Sequence, residues 1–350
     1  MLIPHSRPVF AADVTDVCNH VLTGQILACG KYSQALEQQI SQTLGQPHVL
    51  AVNAGTSALM LAIRALSRGK TNPRVGIPSY GCAALWFAVK AAGAEPVLMD
   101  CNADLTLNAE QARDISSSLD ILVLVHPFGM VEPLAQEAFP CPVIEDIAQS
   151  VGATLNGRKV GTFADICIGS LYATKPWGGA YGGFIASKHA KWIEQCQTMI
   201  NPDRPHVEAE YVGHHMLSNV HAALASHRIQ YAADEQKQRQ AWAMKYDTLF
   251  ADLAEQGMAT PIHSVEHSEG NAFRYLVRCA SDVAPIIQAL QDLGITATRP
   301  VRQPLHRFAR ALCPQAELAW QHTLSLPLLA DMNNDEFNLM QQGIRTCFTS

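Results

Sequence analysis

Three short stretches hold side chains whose types and spacing could do chemistry together. In Ser170-Leu-Tyr-Ala-Thr-Lys-Pro-Trp-Gly-Gly-Ala-Tyr-Gly-Gly-Phe184 a single lysine, Lys175, stands between an apolar, β-like run and four glycines. Its nearest lysines in sequence are Lys159 and Lys188, so it is not part of a solvated charge run. The glycines leave room for a ligand to approach the backbone closely. The plain alternative is a lysine snorkelling from a loop. In Val143-Ile-Glu-Asp-Ile-Ala-Gln-Ser150 two carboxylates and an amide follow directly on a buried run. A buried carboxylate is costly unless a cation meets it, so Asp146 reads either as such a partner or as the N-cap of a following helix. Gln149, three residues on, can share its face. Gly55-Thr-Ser57 lies where a strand end meets a helix start, and there free N–H groups, two hydroxyls and the helix dipole favour an anion such as phosphate. The same hydroxyls also make an ordinary N-cap.

The elements around these stretches set where they can meet. From residue 47 onwards short β-branched runs alternate with amphipathic helical stretches, the pattern of a parallel sheet covered by helices on both faces. Strands are expected at 48–52, 75–78, 96–99, 121–125, 142–144, 166–172 and 183–186. A helix follows the first strand, with Leu59, Ala62, Ile63 and Leu66 at helical spacing, and another spans 83–92. From 218 to 256 the chain turns helical without proline or glycine, as a linker helix leading out of the sheet. Beyond it come a strand at 273–278, a helix at 283–293 closed by Gly294, and a helix at 334–346. This order gives a large domain at 1–235 and a smaller C-terminal α/β domain at 236–350. In such a sheet ligands bind outside the carboxyl ends of the strands, which is where all three stretches lie.

Bulk properties agree with a large buried core. The chain has 350 residues, 48% hydrophobic and 16% charged, with a net charge of −6. No dense Lys/Arg block is present, which argues against nucleic acid or an anionic membrane as partner. No apolar run is long enough to span a bilayer and the first residues lack a signal-peptide pattern, so the cytoplasm is the expected location. The ten cysteines are scattered without a C-x-x-C pair and are expected to be buried, reduced thiols, with no metal site.

Together the ordered combination of a strand-terminal phosphate cradle, a strand-terminal aspartate and a desolvated lysine suggests pyridoxal phosphate. A lysine amine can condense with its aldehyde and then carry a proton, and a carboxylate beside the pyridine nitrogen keeps that nitrogen protonated.

The sequence resembles the DegT/DnrJ/EryC1/StrS sugar aminotransferases, of the aspartate-aminotransferase fold type, along nearly its whole length. The resemblance is carried by Leu22 to Gly30, Asn53-Ala-Gly-Thr-Ser-Ala-Leu59, Ile77-Pro-Ser-Tyr80, Ala92-Gly-Ala-Glu-Pro-Val97 and His126-Pro-Phe-Gly129. It continues through Ile144-Glu-Asp-Ile-Ala-Gln149, Gly161-Thr-Phe163, Ser170 to Lys175, Tyr181-Gly-Gly183 and Leu324-Ser-Leu-Pro327. It implies a mostly parallel seven-stranded sheet and a homodimer with shared active sites. It also implies amino transfer from glutamate to a nucleotide-linked keto sugar. Lys175 matches the Schiff-base lysine, Asp146 the partner of the pyridine nitrogen, and Gln149 a residue near the ring oxygen. Ser170, Gly55 and Thr56, with Ser57 beside them, match the phosphate contacts.

Two stretches depart from the family. Cys82 stands where the family places an aromatic residue against the cofactor ring, with Tyr80 or Trp177 as substitutes. In Val212-Gly-His-His-Met-Leu-Ser218, His214 falls on the asparagine and Met216 on the arginine of a Gly-x-Asn-x-Arg motif that reaches into the partner's site. Either another basic residue, His214 or His215, then compensates for the arginine, or the substrate differs. A basic stretch, Arg299, Arg302, His306 and Arg307, either faces a nucleotide diphosphate or is a solvated loop. Competing readings are a dehydratase on the same cofactor, which Lys175 disfavours because family dehydratases of one type lack the lysine, and a non-catalytic binding descendant. A nicotinamide-dependent dehydrogenase lacks its G-x-G-x-x-G signature.

Overall fold

The computed structural model describes residues 2–24, 26–203 and 211–348. Among these the strands are β1 His48–Val52, β2 Arg74–Pro78, β3 Glu95–Met99, β4 Ile121–Val125, β5 Val143–Asp146, β6 Thr154–Leu155, β7 Arg158–Lys159, β8 Ile166–Ser170, β9 Gly183–Ser187, β10 Ala259–Pro261, β11 Ser268–Glu269, β12 Tyr275–Cys279 and β13 Thr323–Leu326. The helices are α1 Val14–Thr23, α2 Lys31–Leu44, α3 Gly55–Leu66, α4 Ala83–Ala91, α5 Ala109–Ser116, α6 Ala190–Gln197, α7 Asn219–Glu255, α8 Ala284–Asp292, α9 His306–Ala309, α10 Pro314–His322 and α11 Asn334–Phe348.

Seven strands form one sheet in the order β1-β9-β8-β5-β4-β2-β3. All neighbours within β8-β5-β4-β2-β3 are parallel, while β9 runs antiparallel to both β1 and β8. The central strands are continuous apolar runs because both faces are covered. Ile121, Leu122 and Val123 have no exposed surface, nor do Ile144 and Ile166. One face packs on α3, α4 and α6, the other on α2 and the first third of α7.

A second core lies beyond the sheet. It gathers Tyr246 and Phe250 of α7, Tyr275 and Val277 of β12, Leu324 of β13, and Met340 and Ile344 of α11 around the three-stranded sheet β10-β12-β13. Ile3 also belongs to this core, bridging to Ile295, so the chain's first described residues pack against its last third. The helix α7 runs unbroken for 37 residues through both cores.

The expected strands and the long helix are present, with adjusted ends: β8 stops at Ser170, and β12 begins at Tyr275. The helices α1 and α2 were not anticipated. Residues 204–210 of the loop between Thr198 and Tyr211 lie outside the described residues. Eight of the cysteines are buried or half-buried, but Cys29 and Cys82 are exposed, against the expectation of wholly buried thiols. No described helix is long and apolar enough to cross a membrane.

Glycine is required where β9 meets the carboxyl ends of its neighbours. Gly183 pairs with Val52 and with Ser170, and a Cβ there would fall 2.5 Å from both the carbonyl carbon of Ala54 and the nitrogen of Gly55. Both obstacles are backbone, so neither can rotate away. Gly183→Ala should therefore lower stability by about 1–3 kcal/mol, as overpacking of a filled site does. Urea denaturation measures it, and an unchanged midpoint would show that β9 yields without cost.

Candidate active site

The carboxyl ends of β1, β4, β5 and β8 open on one cavity of about 320 Å³. Gly55, Thr56, Cys82, Asp146, Gln149, Ser170 and Lys175 all line it, which brings together most of the residues singled out from sequence. A groove of about 390 Å³ lined by Arg64, Lys70, Lys191 and Tyr211 lies elsewhere and holds none of them.

Alternation along β5 sorts its two carboxylates. Successive strand residues point to opposite faces. Glu145 turns away from the cavity and accepts N–H groups from Gly161, Phe163 and Ala164, the last two at 2.9 and 3.2 Å, and a bond from His126 Nε2 at 2.9 Å. His126 Nδ1 accepts from the Glu132 N–H at 3.0 Å, which fixes the proton on Nε2. Asp146 faces the cavity instead. No helix follows it, so it is no N-cap; its Oδ1 accepts the Ala148 N–H at 2.9 Å in a tight turn. Burial raises the Asp146 carboxyl above its ordinary range, and that N–H together with Lys175 and His126 only partly offset it. An ionised carboxylate here calls for a cation in the cavity.

Lys175 meets the complementary condition. Burial lowers its ammonium below the ordinary lysine value, opposed by the Asp146 carboxylate and reinforced by Arg274. Its Nζ lies 5.3 Å from the centre of the Phe273 ring. The loop that carries it is held by bonds from the Lys175 N–H to the Tyr172 carbonyl and from the Gly178 N–H to the Lys175 carbonyl, both 2.8 Å. A Cβ at Gly178 would collide with the Tyr172 carbonyl oxygen, so the turn needs glycine.

The helix α3 presents an open N-terminus. Its N-cap is Ala54, which has no capping side chain, so Thr56 and Ser57 are not caps. The first N–H groups of a helix have no acceptor within it. Ser170 lies against Gly55, 3.0 Å from where a Cβ would be, and its Oγ accepts from the Tyr172 N–H at 3.3 Å. Ser57 does not line the cavity; its Oγ meets His215 Nδ1 at 3.3 Å.

Other expected residues have different places. His214 is exposed and does not line the cavity of its own chain; its carbonyl accepts the Asn53 side chain at 2.8 Å. Met216 bridges to Val52 and touches the sulfur of Cys29 at 3.9 Å. Tyr80 lines the cavity, edge-on to Phe128 at 5.9 Å, whereas Trp177 is buried against Phe184 outside it. The basic stretch is largely tied down: Arg299 bonds Asp282 and the Trp320 carbonyl, and His306 and Arg307 both bond Glu317.

Sequence reasoning gave no role to Phe128 and Phe273. Phe128 lines the cavity in the left-handed region, at φ 56°, with its N–H donated to Gln149 Oε1 at 2.7 Å. That conformation is costly for a bulky residue and clusters at functional sites. Because the Gln149 oxygen is engaged, the group it can offer the cavity is its amide nitrogen, a donor. The signal was His126-Pro-Phe-Gly129 itself, a glycine-bounded turn directly after a buried strand.

These residues fit pyridoxal phosphate. An uncapped helix N-terminus beside a serine suits its phosphate, a desolvated carboxylate its protonated ring nitrogen, and a desolvated amine its aldehyde. Fold and site thus define a pyridoxal-phosphate-dependent aminotransferase of the aspartate-aminotransferase fold type.

The particular family follows from comparison with known proteins. The model of the DegT/DnrJ/EryC1/StrS aminotransferase family matches residues 9–345, and the chain belongs to that family. Among solved structures it is similar to Spr1654 from Streptococcus pneumoniae in its PLP form, at 19% identity and a TM-score of 0.89, covering 100% of this chain and 99% of that one. It is similar to the aminotransferase TlmJ from Streptoalloteichus hindustanus at 22% identity, TM-score 0.89, with 100% and 99% covered. Helicobacter pylori PseC, an aminotransferase involved in the biosynthesis of pseudoaminic acid, matches at 21% identity and TM-score 0.86, covering 100% of both chains.

A pH test follows from the Lys175 amine. The unfolded chain holds this proton up to the ordinary value of 10.5, while the folded chain gives it up at lower pH. Where the unfolded state binds more protons, stability rises with pH. Thermal melting of the cofactor-free protein should therefore show wild type gaining on Lys175→Met as pH climbs towards 10.5, with the variant more stable at neutral pH. Parallel curves would mean that the amine is solvated.

Proposed function

We propose that this enzyme aminates a keto group on a nucleotide-linked sugar with glutamate as the amino donor. We further propose that it works as a homodimer with shared active sites in the cytoplasm. The observation that supports the chemistry is that Lys175 and Asp146 line one cavity, each desolvated, so that the amine tends to its neutral form and the carboxylate is ionised only against a cationic partner. The sugar substrate is supported by similar structures such as the sugar aminotransferase CalS13 from Micromonospora echinospora.

Pyridoxal phosphate, when bound, supplies an aldehyde for an amine and a ring that takes up the electron pair left on a substrate carbon. The chain's residues would do the rest. Lys175 Nζ, with its proton weakened by burial, is the base that removes a proton from the donor carbon and returns one to the acceptor carbon. Asp146, held by the Ala148 N–H, keeps a ring nitrogen protonated. The N–H groups of Gly55 and Thr56 and the Ser170 hydroxyl anchor the phosphate, and the Gln149 amide nitrogen is a donor to the ring oxygen. Leu59, Leu85 and Ile168 in the cavity wall exclude water. The Cys82 thiol borders the same space without an aromatic face, and Tyr80 with Phe128 makes the aromatic wall. His214, exposed on its own chain, would act in the partner's site. The division of the chain at 235/236 falls inside α7 and assigns Tyr246 and Phe250 to the smaller domain.

The purified protein is expected to be yellow, to lose its colour with borohydride, and to carry the resulting label on Lys175. A protein that stays colourless with added pyridoxal phosphate defeats the reading. Asp146→Ala should retain the cofactor yet lose about 10²–10⁴-fold in rate, the usual range for a tuned proton-transfer site; unchanged kinetics reject its electrostatic role. A panel of nucleotide-linked keto sugars with glutamate, read by product mass, tests the substrate class.

A further inference from the structure

Behind the Lys175 loop lies a second, smaller cleft of about 40 Å³, bounded by residues 5–8, by α7 and by Phe273-Arg274. Its lining carries an unbalanced charge. Arg228 and Arg239 of α7 are buried, at 4% and 7% exposure, and share one carboxylate oxygen: Glu235 Oε2 accepts Arg228 Nη2 at 2.9 Å and Arg239 Nη1 at 3.3 Å. Arg228 Nε and Nη1 and Arg239 Nε are buried with no partner among the described residues. Arg274 adds a further cation without a carboxylate partner among the described residues, its Nη1 resting 2.6 Å from His5 Nδ1. His5 is a neutral acceptor there, because burial and Arg274 push its imidazole down to about 3. Arg7 in the same wall is already matched, by Asp331 and Glu336.

Buried guanidinium groups are costly unless paired, and each unmet N–H adds to that cost. Three buried nitrogens without an acceptor among the described residues, on two arginines that line one cleft, therefore mark the place of a missing acceptor. Water alone satisfies hydrogen bonds and leaves the charge. We propose that the cleft is a binding subsite for a carboxylate group, held by Arg228 and Arg239 and attracted by Arg274. Carboxylate is a class whose two oxygens match guanidinium N–H groups in paired, charge-assisted bonds. The volume holds a group of that size, since one water needs roughly 10–15 Å³, and excludes a sugar ring or a nucleotide. Lys175 lines both this cleft and the larger cavity, Phe273 lines the cleft with its ring centre 5.3 Å from the Lys175 Nζ, and the Arg274 charge acts on the Lys175 amine. The carboxylate comes either from the amino donor, which rests on the aminotransferase reading above, or from a free small acid.

Calorimetric titration of the holoenzyme with glutarate, a dicarboxylate without an amine, is the test. Wild type should bind it, and Arg228→Gln and Arg239→Gln should each weaken binding at least about tenfold, the loss expected of a hydrogen bond to a charged group, with cofactor absorbance unchanged. A parallel rise in KM for glutamate assigns the subsite to the donor; weakened glutarate binding with an unchanged donor KM, and equal competition by acetate, assigns it to a free acid. Glutarate binding that is lost in the variants of a protein that turns over no amino acid upholds the subsite and removes the donor reading. Should either arginine variant fail to fold, Glu235→Gln, which removes the competing carboxylate, should tighten glutarate binding. Binding indifferent to all three substitutions, or absent in wild type, overturns the proposal.

Discussion

A lysine amine and an aspartate carboxylate, both stripped of water in one cavity, are the constraint around which the large domain is organised. Neither charge is comfortable alone: burial drives the Lys175 proton off and drives a proton on to Asp146. Each group is thereby poised for a ligand that carries the opposite need. An apolar wall that includes Leu59 and Ile168 keeps the pair dry, so the chemistry depends on the core as much as on the reactive groups.

Their positions follow from sheet topology. Asp146 ends β5, the middle strand, between Val125 of β4 and Ile168 of β8, so its backbone is fixed from both sides. The switch in direction at β9 brings Gly183 beside the ends of β1 and β8, and the absence of side chains at Gly183 and Gly55 lets three backbones and Ser170 converge. The end of the cavity at the start of α3 is thus made by close backbone approach rather than by cationic side chains. This agrees with a chain whose net charge is −6 and which must hold any anion locally.

Much of this was legible in the sequence. The buried strands announced themselves as short β-branched runs, and the glycines around Lys175 marked a turn with space beside it. Side-chain direction was less legible: Glu145 and Asp146 are adjacent and chemically alike, and only strand alternation decides which one faces the cavity. The helix α2, Lys31-Tyr-Ser-Gln-Ala-Leu-Glu-Gln-Gln-Ile-Ser-Gln-Thr-Leu44, was missed because its apolar stripe is only Leu36, Ile40 and Leu44 within a polar surround. Long-range pairs were invisible. Nothing local to Arg228 or Arg274 signals that residues 5–8 will line one cleft with them and with the loop of Lys175. His214 and His215 are neighbours in sequence, yet one is exposed and the other reaches Ser57.

The helix α7 has a mechanical meaning. At 37 residues, and about 1.5 Å of rise per residue, it is a rod of roughly 55 Å. It contains no proline or glycine at which to bend. Its early turns are embedded in one core and its late turns, through Tyr246 and Phe250, in the other. The C-terminal core and the floor of the large domain are therefore joined by one continuous element. Relative movement of the two halves must be taken up as a roll or slide of this rod against α1 and α2, not as a swing about a flexible joint.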